Sequence, residues 1–327
     1  MKKNLSLAII GCGNIANFHV EAFKFLGYKI KHCASRFNST KVKHFANKHK
    51  ITNVWKDPYK LAKSRNDWDA IILSSTTETT PKILEILIKH KKPILVEKPV
   101  SIGTRYLKKY ASNYPKFVNV AYNRRFYSTI DKAFKFIKNS KGQLFCNMKL
   151  PGVVKKGKNK LVGFRNVFEN SCHGIDILRF LFGDLKIIKN TRIKLNNFDS
   201  GRTTLLRSKQ NHLCNILMNS NSPDNFSLEI ENGKKRLLLR PFESFEIYEG
   251  ISFVKPNKKY PLKSYKPKLV EKSDIFSNLK SEKKLKPGFL GQSKDFLNLI
   301  KGNKNLKSAT LKDAYKTQQI LEKIMLS

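Results

Sequence analysis

No stretch of the 327 residues holds an unbroken apolar run near the ~20 residues that a membrane-spanning helix needs. The apolar opening at 5–10 is short and runs straight into a glycine turn, unlike the core of a secretory signal. Cysteine is sparse. Cys12, Cys33, Cys146, Cys172 and Cys214 are odd in number and show no C-x-x-C spacing, which argues against a disulfide framework and against a zinc site. Reduced thiols are expected, and no metal. Acidic residues are the other shortage, 24 against 65 Lys and Arg, for a formal net charge of +41. Such a field attracts phosphates, nucleic acid or anionic lipid. Yet the lysines are spread from end to end among abundant Asn, Ile and Phe, as in a compositionally biased proteome. There is no arginine-rich arm and no basic run interleaved with aromatics of the kind that binds single strands. Nucleic acid is therefore not the expected partner. No internal repeat is visible. These shortages predict a soluble, cytoplasmic protein, and the length suits two domains, each with its own core.

What is present is a rhythm. Residues 5–10 read as a strand, 14–26 as a helix stopped by Gly27, 29–34 as a second strand and 40–50 as a further helix. An apolar strand at 69–75, a helix at 80–90 with Pro81 in its first turn, a strand at 94–96, a helix at 103–113 and a strand at 117–122 continue the alternation. This is the pattern of an α/β doubly wound parallel sheet, so 1–122 is predicted to be a Rossmann domain. Past Tyr122 the rhythm changes. A helix at 127–139 precedes strands at 143–150, 185–195, 212–219, 227–231, 235–239 and 245–248, joined by polar turns such as Glu231-Asn232-Gly233-Lys234. An open, mostly antiparallel sheet is expected there. The lysine- and proline-rich stretch 255–287 reads as an extended surface loop, and 288–300 and 310–324 as helices. The second α/β domain is thus expected to run over 123–327, C-terminal helices included.

Gly11-Cys12-Gly13-Asn14-Ile15-Ala16 is a G-x-G-x-x-A turn lying between an apolar strand and an apolar-periodic helix, the setting that gives the motif its meaning. Gly11 permits the tight turn, Gly13 lets the backbone approach a pyrophosphate, and Ala16 allows helix to pack closely on strand. The pyrophosphate rests on the helix N-terminus at Asn14 and Ile15, where free N–H groups and the helix dipole favour anions. Dinucleotide binding is the expectation. The second strand ends in Ala34-Ser35-Arg36 rather than in the acid that reads a ribose 2′-hydroxyl. Ser35 and Arg36 suit a 2′-phosphate, which favours NADP over NAD.

The strand at 94–96 ends in Glu97-Lys98-Pro99. Strands must end somewhere, and charged residues often mark the exit into solvent. In open α/β sheets, however, ligands bind outside the carboxyl ends of the strands, and Glu97 and Lys98 fall there, one crossover from Ser74-Ser75. These four residues are candidates for the cofactor site. Farther on, Glu169-Asn170-Ser171-Cys172-His173-Gly174-Ile175-Asp176 begins a predicted helix running to Gly183. Helical spacing places Glu169, His173, Asp176 and Phe180 on one side and Ile175, Leu178 and Phe182 on another, so that one face packs and the other offers an imidazole beside carboxylates. A capping or core histidine with a local carboxylate partner fits the same spacing.

Taken together, Gly11-x-Gly13-x-x-Ala16, Glu97-Lys98-Pro99, Asn123-Arg124-Arg125-Phe126 and His173-x-x-Asp176 resemble the Gfo/Idh/MocA oxidoreductases, named after glucose–fructose oxidoreductase and inositol dehydrogenase. Gly288-Phe289-Leu290-Gly291-Gln292 and Thr310-Leu311-Lys312-Asp313-Ala314 are similar to that family's C-terminal helices. The resemblance implies nicotinamide-dependent redox chemistry at a carbinol carbon of a sugar, cyclitol or nucleotide sugar. It further implies dimers or tetramers formed through the second domain's sheet. By it, Lys98 polarises the reacting oxygen, His173 is the general base, Glu169 orients the histidine, and Asn123, Arg125 and Asp176 stand near the substrate, with Asp176 more structural. The chemistry is consistent, since forming a carbonyl needs one group to take a proton and another to steady charge on oxygen. Pro99 is expected to follow a cis bond. Two departures stand out: Glu169 replaces the family's usual aspartate after a lead-in, 164–168, without glycine, and Thr80 stands where many members have histidine. The rival readings are a non-catalytic Rossmann protein that binds cofactor or sugar to regulate a partner, and a charge-driven nucleic-acid binder, which explains none of the motifs.

Overall fold

β1 (Leu7–Ile10) is four apolar residues with every side chain buried, as in a parallel sheet covered on both faces. A glycine turn leads into α1 (Asn14–Phe25), whose buried Ala16, His19, Val20 and Phe23 recur at helical spacing and form one face. The winding continues through β2 (Ile30–Ala34), α2 (Thr40–His49), β3 (Asn53–Trp55), α3 (Pro58–Lys63), β4 (Ala70–Leu73), α4 (Thr80–Ile88), β5 (Ile94–Val96), α5 (Arg105–Lys108) and β6 (Val118–Val120), and then a 3-10 turn, Asn123–Phe126. Next come α6 (Ser128–Lys138), β7 (Phe145–Gly152), α7 (Lys160–Phe182), β8 (Leu185–Leu195), β9 (Phe198–Ser208), β10 (Leu213–Ser220), β11 (Ser227–Glu231), β12 (Lys235–Leu239), β13 (Ser244–Val254) and β14 (Ser264–Asp274). The chain ends in α8 (Phe289–Ile300), β15 (Ala309–Thr310) and α9 (Leu311–Leu326). The computed structural model describes residues 5–36, 40–152, 160–195, 198–220, 222–259, 261–275, 285–303 and 306–326.

Two compact units result, one made of 1–126 with 282–323, the other of 127–281 with 324–327. In the first, the strand order β3-β2-β1-β4-β5-β6 is parallel throughout, and β15 adds antiparallel to β6. The order reverses between β1 and β4, so their carboxyl ends flank the point where such sheets bind ligands. In the second, the order is β14-β13-β12-β11-β7-β10-β9-β8, antiparallel except for the β7–β10 pair. The expected pairing of a doubly wound parallel sheet with an open, mostly antiparallel one is therefore what forms.

The compact units differ from the expected 1–122/123–327 division at both ends. Residues 123–126 stay with the first unit, and 282–323 return to it. Packing explains the return. Phe296 and Leu297 of α8 belong to the same core as Val20 and Phe23 of α1, with the Phe23 and Phe296 rings 6.2 Å apart. β15 also covers the edge of β6 that would otherwise stand unpaired.

Several elements differ from the sequence reading. The helix expected at 103–113 shrinks to α5, because Lys109, Tyr110 and Ala111 bond back three residues rather than four. β3, α3 and β9 were not anticipated, although Asp57 capping Tyr59 N at 2.8 Å and Pro58 in the first turn give α3 a plain start signal. Within the expected loop 255–287, β14 pairs with a β13 that extends to Val254. Pro267 and the lysines suggested a loop, yet β14 is an edge strand, where proline and lysine are tolerated and discourage further pairing. Residues 276–284 of that stretch lie outside the described residues.

Candidate active site

The site is assembled at the carboxyl ends of β1, β4 and β5 in the first unit. Gly11 follows β1 with φ +99°, and a Cβ there would lie 2.3 Å from Ser74 O. Only glycine satisfies both the left-handed backbone and the close approach to β4. Ser74 secures that approach from the other side: its N–H bonds Ile10 O at 2.7 Å and its hydroxyl donates to Gly11 O at 2.7 Å. Ser75 Oγ lies 2.8 Å from Thr80 Oγ1, and Thr80 is buried at the start of α4. The hydroxyl at position 80 is thus part of the turn's internal bonding.

Gly13 caps α1, and a Cβ built on it would meet nothing within 4 Å. Gly13 and Asn14 are exposed, Ile15 is half-buried and Ala16 is fully buried. The first turn of α1 carries no acid that would oppose an anion. Open space in front of a bare helix N-terminus fits a dinucleotide pyrophosphate. At the end of β2, which is tied to the turn by Gly11 N–H to Ala34 O at 2.8 Å, Ser35 is half-buried and Arg36 exposed. Behind the turn, the Cys12 thiol is pushed up by its hydrogen bond with Cys33 and by burial. All five cysteines are buried free thiols, as expected.

Glu97 follows β5, and its carboxylate is engaged at both oxygens. Oε1 lies 2.7 Å from Nε2 of the buried His19 on α1, and Oε2 accepts the backbone N–H of Lys98 at 3.2 Å. The Lys98–Pro99 peptide is cis, as expected, and Lys98 is half-buried. Lys286, from the returning segment, lies with Nζ 4.4 Å above the Phe18 ring. Burial holds its amine below the ordinary lysine range; the charge of Glu97 opposes this, and those of Lys98 and Arg124 add to it. The Lys286 amine therefore feels the charges of Glu97, Lys98 and Arg124.

Asn123 and Arg125, expected near substrate, are bonded within the first unit. Asn123 Nδ2 donates to Pro287 O at 2.9 Å, and Arg125 reaches Lys307 O at 3.4 Å and Asp313 at 3.9 Å. They anchor the returning segment.

In the second unit, α7 begins at Lys160 rather than at Glu169, so the lead-in 164–168 is itself helical. A Cβ on Gly174 would lie 2.2 Å from Leu150 Cδ2 and 3.0 Å from Met148 Sδ; the missing side chain is what lets α7 rest directly on β7. His173 precedes that contact and is 8% exposed, Asp176 is fully buried, and Glu169 is half-buried. The expected split into one packed and one open face is not found. Between Phe168 and Phe182 only Glu169, Asn170 and Phe180 escape burial. Over 168–182 the helix is thus buried nearly all round.

Sequence reasoning missed His19 and Lys286. His19 did carry a signal, a polar side chain on the apolar face of a predicted helix, which demands a partner. Lys286 carried none, because it comes from far down the chain.

Among known proteins, the family model described as an oxidoreductase family with an NAD-binding Rossmann fold, GFO_IDH_MocA, matches residues 5–119. Myo-inositol 2-dehydrogenase of Thermotoga maritima is 26% identical over 139 residues, 42% of this chain and 40% of that protein. The matched stretch thus spans about two fifths of the curated relatives' length. In fold the likeness is nearly complete. Levoglucosan dehydrogenase, solved with NADH and levoglucosan, superposes with a TM-score of 0.77 at 14% identity over 99% of this chain and 97% of the other. UDP-N-acetylglucosamine 3-dehydrogenase from Acidithiobacillus ferrooxidans gives 0.75 at 11% identity over 98% and 97%. Residues 5–119 thus match the NAD-binding Rossmann domain of that oxidoreductase family, and the solved structures share the fold of the whole chain. Among the described residues, no helix is long and apolar enough to cross a membrane, and no cluster of His, Cys, Asp and Glu could hold a metal.

Proposed function

We propose that the protein is an NAD(P)-dependent dehydrogenase or reductase that moves a hydride between the nicotinamide and a carbinol or carbonyl carbon of a sugar, cyclitol or nucleotide sugar. The observation that carries this reading is the first unit's carboxyl edge, where an open, glycine-capped helix N-terminus follows β1 and Lys98 follows β5, on either side of β4, in a domain that matches an NAD-binding family model. When bound, the cofactor supplies the hydride acceptor or donor. Gly11, Gly13, Asn14 and Ile15 present backbone to its pyrophosphate, and Ala16 keeps α1 close to β1. Arg36, exposed beyond the end of β2, would pair with a 2′-phosphate on the adenosine ribose and so favour NADP over NAD.

Lys98 donates a hydrogen bond to the reacting oxygen and steadies the charge that develops there. His173 accepts the hydroxyl proton during oxidation and returns it during reduction, with Glu169 one helical turn away to orient it. The cations at Arg124 and Lys286 beside Lys98 support a substrate that carries phosphate, hence a nucleotide sugar ahead of a free one. Homo-oligomers are supported by the exposed Ile251, Phe253 and Tyr265 on the β13–β14 ribbon.

The test is a turnover screen with NAD+ and NADP+ against myo-inositol, levoglucosan and UDP-N-acetylglucosamine, followed at the reduced nicotinamide band. Lys98→Met and His173→Ala are expected to lower turnover by about 10²-fold or more while NADH affinity holds. Cofactor binding with unchanged turnover in either variant refutes that residue's role. Binding without turnover of any substrate class refutes the enzyme reading.

A further inference from the structure

The side chain that ties Lys98 to the cofactor helix is neither glycine nor lysine. His19 lies on the buried face of α1, five residues after the helix begins, with no exposed surface. Its Nε2 is 2.7 Å from Glu97 Oε1. An ionised carboxylate only accepts, so the imidazole donates. Its other nitrogen, Nδ1, has no hydrogen-bond partner among the described residues, and the edge of Phe289 packs on the ring at 4.9 Å between centroids. Glu97 is therefore the polar group that orients His19, and Phe289 holds the ring in place. The second carboxylate oxygen takes the backbone N–H of Lys98. One part-buried carboxylate thus bridges two elements, from α1 to the backbone of the lysine beside it.

We propose that His19 is a positioning residue for Lys98: by holding Glu97, it fixes the Lys98 backbone relative to the α1 N-terminus, so that ammonium and cofactor keep a constant offset. This rests on the role given to Lys98 above. A histidine that only satisfied the core would serve as well bonded to any carbonyl. Here its partner is the residue next to the proposed catalytic one, and that partner is already bonded to the catalytic residue's own backbone. The consequence of losing the imidazole follows from the charges nearby. Glu97 would keep a carboxylate in a largely buried place with one partner fewer, beside the cations of Lys98, Arg124 and Lys286. A buried charge without its partner turns to the nearest opposite charge. Released, Glu97 would swing onto a lysine and occupy the ammonium that the reaction needs.

The test reads Lys98 directly and needs no substrate. Full-length protein loaded with NAD+ is trace-labelled with acetic anhydride, and acetylation of Lys98 is measured by peptide mass spectrometry against the exposed Lys43. His19→Leu, which keeps bulk and removes the donor, is expected to slow Lys98 labelling at least threefold with NADH affinity within threefold of the parent. His19→Gln, whose amide can donate along the same line, is expected to restore labelling. Glu97→Gln is the second variant should His19→Leu fail to fold. It keeps volume and an acceptor for His19 but turns an amide donor toward the Lys98 N–H, and is expected to alter labelling with His19 intact. Labelling that stays at the parent rate in the leucine variant, or a loss that glutamine does not restore, overturns the proposal. Turnover, where the screen finds a substrate, separates the two claims. A labelling change in a protein that turns over nothing refutes the enzyme reading and leaves the positioning of Lys98 standing. Turnover with labelling indifferent to His19 does the reverse.

Discussion

The carboxyl edge of the first unit and the β13–β14 ribbon of the second are both rich in lysine, and they use charge in opposite ways. At the edge, the part-buried Glu97 is held by His19 and by the backbone of the half-buried Lys98, and the exposed Lys286 lies over the Phe18 ring. On the ribbon, Lys266 and Lys268 alternate with Tyr265, Pro267 and Leu269, and all five are exposed. Register explains the alternation. Ile251 pairs with Pro267 and Phe253 with Tyr265, so one face is apolar and the other basic. Partly buried charge has to be matched and is therefore specific to position, whereas solvated charge is interchangeable. The net charge of +41 consequently says little about the candidate site, where only a few cations have specified surroundings.

The contrast is sharpest in turnover. Lys98→Met is expected to cost about 10²- to 10⁴-fold in kcat, whereas Lys266→Met on the ribbon leaves kcat within about twofold, as a distant surface change should. Steady-state rates for the two variants, measured side by side, decide it. An equal loss in both would mean that bulk charge, not position, drives catalysis.

Backbone strain gives the next largest difference. Gly11 and Gly250 both have positive φ, +99° and +71°, but only at Gly11 does an added Cβ strike its neighbour's backbone. Gly11→Ala is expected to lose about 3 kcal/mol or more of stability together with over tenfold in NADH affinity. Gly250→Ala is expected to lose about 1 kcal/mol and no affinity. Thermal unfolding and NADH fluorescence titration report the two quantities separately.

Smaller again is the effect of Arg36→Ala. Losing a charge-assisted bond to a 2′-phosphate corresponds to about 2 kcal/mol, or some thirtyfold in NADP affinity. NAD affinity should be unaltered, and comparing the two dissociation constants tests the assignment. An equal change for both cofactors would give Arg36 no part in discrimination. The smallest expected change in stability comes from Ile251→Ser with Phe253→Ser, within about 0.5 kcal/mol each because both side chains are already exposed. Light scattering after size exclusion should instead show a smaller assembly if this apolar face is where copies meet.

The two regions also differ in how far they could be read beforehand. The glycine turn, the alternation of strand and helix in the first unit and the ends of β11 and β12 follow from local pattern, because period, turn chemistry and left-handed glycines act within a few residues. Lys98 could be placed at the carboxyl edge because strand direction in a doubly wound sheet is set by connectivity. β14 of the ribbon was read as loop, since proline and lysine carry one meaning in a turn and another on an edge strand. The burial of α7 was misjudged for a related reason. Spacing says which residues share a face, but not whether the opposite face is covered as well.

Chain order and local chemistry were sufficient for the likeness to an NAD-binding Rossmann domain and for the position of the lysine, each depending on residues a short way apart. Folding alone decided that Glu97 belongs to His19, that Asn123 and Arg125 grip the returning C-terminal segment, and that Lys286 joins Lys98. These pairings link positions 78 to 188 residues apart, between side chains brought together only when the sheet is wound and the tail has come back to pack on α1. Burial then makes them obligatory, because a polar group withdrawn from water must find its partner wherever in the sequence that partner lies.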